Sequence, residues 1–232
     1  MEKQMRLVRL AVGFGGLGIF GITIGVLVAL VGAASVLSEH ITPLNFTLSE
    51  LGNYGHSPFA VVLNGGLFFG SLCLVLFCLY SMPLTKTVSG ALCYLTMAIA
   101  CLTLAGIGLF PINVYHLHTM MVKWFFILGS MSALFYLVNL SLGFQALFKT
   151  WSWLPAGLAL VGQASFLILP LFKLGLTDGD RPFYHEMVLE GGRPEFWWPA
   201  VIEWFSFSVF LLWIVTLLID KWYYLRRNAS RP

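Results

Sequence analysis

An all-α, six-helix membrane bundle with both termini in the cytoplasm is what this sequence predicts, on its composition, its apolar run lengths and its placement of lysine and arginine. Of 232 residues, 59% are hydrophobic and 10% charged, with a mean hydropathy of +0.86. These proportions belong to membrane proteins rather than soluble domains. A helix crossing hydrocarbon needs roughly 20 mostly apolar residues. Six runs satisfy this, at 10–37, 59–82, 88–109, 119–148, 151–172 and 197–220, forming one membrane domain over 1–232.

Orientation follows from the cations, which are retained on the cytoplasmic side of short loops. Lys3, Arg6, Arg9, Lys86, Lys149, Lys221, Arg226, Arg227 and Arg231 fall at the termini and in the second and fourth connections. The opposite side has Lys173, Arg181 and Arg193, with Lys123 just inside the fourth run. Tryptophans at 151, 153, 197, 198 and 222 stand where interfacial belts belong. The net charge of +3 is mostly this inward bias, so it does not point to nucleic acid. The expected location is a bacterial or archaeal cytoplasmic membrane. The outer loops are 38–58, 110–118 and 173–196, and all five histidines lie in or beside them.

The first run follows basic residues and contains Gly32-Ala33-Ala34-Ser35, like a cleavable leader. Its apolar length is about twice that of a signal core, so it is assigned as a span. Gly13-Phe14-Gly15-Gly16-Leu17-Gly18 matches a dinucleotide fingerprint only formally, because no strand precedes it. Gly13, Gly21 and Gly25, with Gly66 and Gly70 in the second run, are instead expected to let helices approach closely.

The first outer loop reads Leu44-Asn45-Phe46-Thr47-Leu48-Ser49-Glu50-Leu51-Gly52-Asn53. Thr47 and Glu50 have the spacing of a capping box opening a short helix over the bundle mouth. Gly52 or Gly55 would end it in the left-handed region. Asn45-Phe46-Thr47 is also a glycosylation sequon, of use only in a host that glycosylates. Ser49 and Glu50 could line the mouth beside His118, where a serine, a histidine and a carboxylate permit covalent catalysis. No GxSxG elbow supports that route.

Asn64 lies early in the second run, and Cys73, Cys78, Cys93 and Cys101 all lie within the second and third runs. Cysteines so placed are read as buried apolar residues rather than a disulfide framework. The second outer loop carries Asn113-Val114-Tyr115-His116-Leu117-His118. In an extended segment the two imidazoles would face one way and could hold a metal; on a helix they diverge by about 200°. No cofactor is predicted, and a metal at His116 and His118 is kept only as a lesser alternative. His118 precedes the run carrying Lys123 and is the acid–base candidate, its ordinary pKa being near neutrality.

Glu203 lies inside the last run, about 9 Å below its start. A carboxylate at such depth costs about 2.5–3.5 kcal/mol and requires an interior partner. Lys123, the basic residue at comparable depth, is the expected neighbour.

Thr47-Leu48-Ser49-Glu50-Leu51-Gly52, Asn64-Gly65-Gly66, Gly106-Ile107-Gly108-Leu109-Phe110-Pro111 and His118 occur in this order. The set resembles the prokaryotic six-span family catalogued as domain of unknown function nine-nine-eight, over about residues 10–148. It is more distantly similar to the damage-regulated autophagy modulator and GPI-lipid-remodelling membrane proteins. The resemblance implies Ser49, Glu50, Gly52, Asn64, Pro111 and His118 as signature residues and leaves out the loop 173–196.

The expected function is binding of, or action on, a lipid or other amphiphile in an outward-facing polar pocket. His118, Glu50 and Glu203 are its candidate chemical groups, and Ser49, Lys123, Asn64 and Asn113 its binding groups. An enzyme of this kind would be a lipid-modifying hydrolase or transferase. The alternatives are a small-solute or ion transporter, using a polar track through Asn139, Gln145 and Gln163, and a scaffold docking a partner through its outer loops.

Overall fold

The computed structural model describes residues 2–36, 41–142, 150–177, 181–185 and 194–229. His40, Gln145 and Lys149 lie outside them, as do 186–193 of the third loop. The described helices are α1 (Glu2–Val36), α2 (Leu48–Leu51), α3 (Ala60–Ser81), α4 (Val88–Leu109), α5 (Tyr115–Ser141), α6 (Trp153–Ile168) and α7 (Trp198–Ala229). A 3₁₀ turn, Leu169–Phe172, prolongs α6. All but α2 are long and apolar enough to cross a membrane, so the chain is an integral membrane protein with six spans.

Each long helix packs against its neighbours in the chain, and α1 packs on α7, so the spans close into a ring. Its interior is filled by rings: Phe126 stacks on Phe166 with centroids 3.7 Å apart, Phe125 meets Phe210 edge-on at 5.2 Å, and Trp213 is wholly buried. Such pairs add about 0.5–1.5 kcal/mol beyond the area they bury.

The boundaries differ from the apolar runs where polar residues extend a helix. α1 starts at Glu2 and α7 continues to Ala229, carrying Arg226 and Arg227. α5 begins at Tyr115 rather than 119. That earlier start places His116 and His118 on a helix, so they diverge as two helical residues must. His116 is exposed and His118 buried, which removes the shared metal grip. No group of three or more histidine, cysteine or acidic residues suited to a metal occurs among the described residues.

Glycines do join α1 to α3. A Cβ on Gly66 would stand 2.7 Å from the Gly21 carbonyl and 3.0 Å from the Gly25 Cα, and one on Gly18 would stand 2.7 Å from the Gly70 carbonyl. Gly13 is a correction: nothing lies within 4 Å of its Cβ position, and Gly18 occupies the contact stripe instead. All four cysteines are free, with Cys78, Cys93 and Cys101 buried.

At the end of the bundle bearing the termini, Asn139 accepts from the hydroxyls of Thr87 (2.6 Å) and Ser89 (3.0 Å), which satisfies its burial. Lys221, counted among the cytoplasmic cations, is buried, as is Asp220 beside it. The Lys221 ammonium lies 4.9 Å from the Tyr94 ring centre and 5.8 Å from that of Phe77, a cation over two aromatic faces. The sequence reading missed this; 221 follows the buried Leu217 and Ile214 at four and seven residues, on one helical stripe.

Candidate functional site

The site at the opposite end is built on four residues of helix. Thr47 is the N-cap of α2: its hydroxyl accepts the Glu50 amide at 3.0 Å, and the Glu50 carboxylate accepts the Thr47 amide at 3.0 Å. This is the expected capping box. It also corrects the role given to Glu50, whose carboxylate is turned back onto its own helix and is absent from the pocket lining. Gly52 closes α2 with φ −84°, so no left-handed cap forms. A glycine suits the position because a Cβ there would meet Asn64 Oδ1 at 2.7 Å.

A helix this short leaves its first amides without intrahelical acceptors. Glu203 supplies them: its Oε2 accepts the Leu48 amide at 2.9 Å, the Ser49 amide also donates to its carboxylate, and its Oε1 accepts the Ser49 hydroxyl at 2.8 Å. Two further bonds hold the loop on α7, from the Trp204 indole to the Phe46 carbonyl and from the Trp197 amide to the Leu44 carbonyl, both 2.8 Å. Trp197 was read as part of an interfacial belt; it is buried and serves as an anchor.

Glu203 therefore does not pair with Lys123. The Lys123 side chain is exposed, with its ammonium 5.8 Å from the Tyr184 ring centre. The physical reason lies in supply: amide and hydroxyl donors reach Glu203 from α2, so no cation is needed beside it. A long ammonium side chain gains more by reaching solvent.

His118 completes the cluster from the first turn of α5. Pro111 disfavours helical backbone at Phe110, where ψ is 80°. α4 ends there, and the Phe110 carbonyl is free to accept His118 Nδ1 at 2.8 Å. The other ring nitrogen, Nε2, lies 3.0 Å from Ser49 Oγ. Asn64, from α3, donates to the Gly52 carbonyl at 2.9 Å and fixes the far end of α2. Asn113 is placed elsewhere, outside the pocket lining: it donates to the Asn53 side chain and accepts the Tyr54 amide, each at 3.0 Å, tying the first loop to the second.

Ser49, Asn64, His118 and Glu203 thus meet in one pocket, whose other walls include Leu67, Leu104, Val122, Phe125 and Phe207. The cavity offers about 20 Å³ to the centre of a water molecule, and one water needs roughly 10–15 Å³ on that measure. It takes a water or a small polar group, not an acyl chain. Asn139 and Gln163 do not line it.

Ser49 and His118 have the distance of a nucleophile and its base. The carboxylate, however, lies on the serine rather than on the far nitrogen of the imidazole, where a serine–histidine–acid triad places it. The sequon at Asn45 is not presented for modification, since Asn45 is buried and its side-chain oxygen accepts the Thr42 amide at 2.9 Å.

Sequence reasoning missed the Phe110 carbonyl and the Leu48 amide, because main-chain groups leave no mark in composition. Phe110-Pro111 was the available signal for the first. No curated protein and no solved structure matches the chain. The family model for proteins of unknown function, DUF998, matches residues 21–220, through the loop and last span that the sequence resemblance had omitted, and the chain belongs to that family.

Proposed function

We propose that this protein binds, or acts on, the polar end of a lipid or other amphiphile in the pocket between α2, α5 and α7, and that this pocket faces the outside of the cell. The observation that carries the reading is a serine hydroxyl held between an imidazole and a carboxylate, 3.0 and 2.8 Å away, on the wall of a mostly apolar cavity. A few convergent polar groups in an apolar recess orient a ligand's polar end. Cavity size refines the reading: the polar tip enters, while the apolar part lies against the outer faces of the spans. His118 is the acid–base group, and Glu203 balances it through Ser49. The more distant similarity to GPI-lipid-remodelling and damage-regulated autophagy modulator proteins belongs to the same proposal, since it too would join the bundle to lipids.

Transport is the weaker reading. The pocket lining stops at Phe125 and Phe126, above the polar residues Asn139 and Gln163, so a continuous polar track has no support. Native mass spectrometry of the full chain released from its own membrane tests the proposal. An amphiphile is expected on the wild type, and Val122→Trp, which fills the cavity, is expected to lose it. Equal occupancy in the two proteins would sink the pocket as the binding site.

A further inference from the structure

The pocket contains a continuous run of hydrogen bonds: Phe110 carbonyl to His118 Nδ1 at 2.8 Å, His118 Nε2 to Ser49 Oγ at 3.0 Å, and Ser49 Oγ to Glu203 Oε1 at 2.8 Å. A carbonyl oxygen only accepts, so Nδ1 carries a hydrogen. The two remaining bonds need one hydrogen each, and the serine hydroxyl owns one of them. The second sits at one end or the other. On Nε2, it leaves Ser49 donating to the Glu203 carboxylate; on Oε1, it leaves Ser49 donating to Nε2.

Both arrangements satisfy every atom in the run. Each also gives His118, Ser49 and Glu203 a net charge of zero, as imidazolium with carboxylate or as two neutral groups. That property suits the burial of all three, at 1%, 5% and 5% exposure, because an uncompensated interior charge is costly. Glu50, the other nearby acid, is engaged by the Thr47 amide and does not enter the run.

We propose that His118 and Glu203 share one transferable proton across the Ser49 hydroxyl, so that the pocket is an acid–base relay rather than a covalent serine centre. In the step, Nε2–H breaks as a new Oγ–H forms, and the original Oγ–H breaks as Oε1–H forms. One proton passes from His118 to Glu203, no electrons are transferred, and the hydroxyl is regenerated pointing the other way. Ser49 is a positioning residue here, acting through its two neighbours.

The surrounding amides argue against covalent attack by Ser49. An acyl-transfer site needs donors free to receive an oxyanion, and the amides of Leu48 and Ser49 are already given to Glu203. The relay's use, proton exchange with a water or a hydroxyl-bearing head group in the cavity, rests on the amphiphile reading. The shared proton does not.

Nitrogen NMR of histidine-labelled full chain in lipid nanodiscs tests the proposal, with the His118 signals assigned by their loss in His118→Asn. In the wild type, Nε2 is expected to read as hydrogen-bonded and exchanging. Glu203→Gln removes the acid end, so the ring should become neutral with Nε2 a pure acceptor. Ser49→Ala should detach Nε2 from any partner, and Ser49→Thr should restore the wild-type signal.

An Nε2 signal unchanged in both Ser49→Ala and Glu203→Gln would overturn the shared proton. An alkyl fluorophosphonate probe is expected to leave Ser49 unmodified; an adduct mapped to Ser49 would overturn the noncovalent assignment. Wild-type protein that carries no amphiphile yet shows the expected nitrogen pattern would refute the amphiphile reading and support the relay.

Discussion

The carboxylate of Glu203 accepts the amide of Leu48 at 2.9 Å across 155 positions of sequence, and this bond joins the last span to the first loop. Replacing Glu203 with Ala leaves the Leu48 and Ser49 amides without their acceptor, while the Ser49 hydroxyl turns to His118 Nε2. Each stranded buried donor costs about 1–3 kcal/mol. The expected loss is about 3 kcal/mol of unfolding free energy for Glu203→Ala and about 1 kcal/mol for Glu203→Gln, which retains an acceptor oxygen. Steric-trap unfolding in bicelles measures both; an alanine cost below about 0.5 kcal/mol would remove the anchoring role.

The cap of α2 makes a separate, smaller prediction. Thr47→Ala removes the acceptor of the Glu50 amide and should cost about 1 kcal/mol. Hydrogen exchange should quicken at the amides of 48–53 and remain unchanged in α4. Uniform exchange through the whole chain would show that the box is not a local clamp.

Gly66 and Gly13 form a matched pair. Gly66→Leu drives a side chain into the backbone of α1, where overpacking costs about 1–3 kcal/mol or forces the helices apart. Gly13→Leu meets open space and should leave the melting temperature of detergent-solubilised protein within a degree or two. Equal damage from both substitutions would argue that the α1–α3 seam is misplaced.

Lys123→Ala is expected to change stability by less than about 0.5 kcal/mol, the usual range for an exposed residue without structural partners of consequence. Breaking a buried pair would instead cost about 3–5 kcal/mol. Unfolding measurements on this variant therefore separate the exposed placement from the ion pair expected from sequence.

Orientation is testable at two exposed positions. His56→Cys should react with a membrane-impermeant maleimide on intact cells, whereas Arg227→Cys should react only after permeabilisation. The reverse pattern would place the Ser49 pocket toward the cytoplasm and end the outward-facing proposal.

The spans and the cap of α2 were legible in sequence because each rests on a local rule: apolar length for the first, a threonine and glutamate three apart for the second. The convergence of Ser49, Asn64 and Glu203 with His118 was legible only as residue types left in apolar surroundings. What failed was partner assignment. Glu203 was matched to Lys123 by charge and depth, but its partners are a hydroxyl and two amides of a distant loop, and an amide is present at nearly every residue. His116 and His118 were separated by a helix start four residues earlier than the apolar run indicated, because a polar first turn is still a helix. Lys221 was counted among cytoplasmic cations, a rule that gives a side of the membrane and not a direction around the helix axis.

Closure of α1 onto α7 orders the biogenesis of the site. Ser49 leaves the ribosome long before Glu203, and until the sixth span enters the bilayer the leading amides of α2 have only water to bond. A nascent chain of five spans therefore carries His118 and Ser49 without the carboxylate that seats them. The site is assembled only with the final helix, so a prematurely terminated product lacks the Glu203 bonds that seat α2.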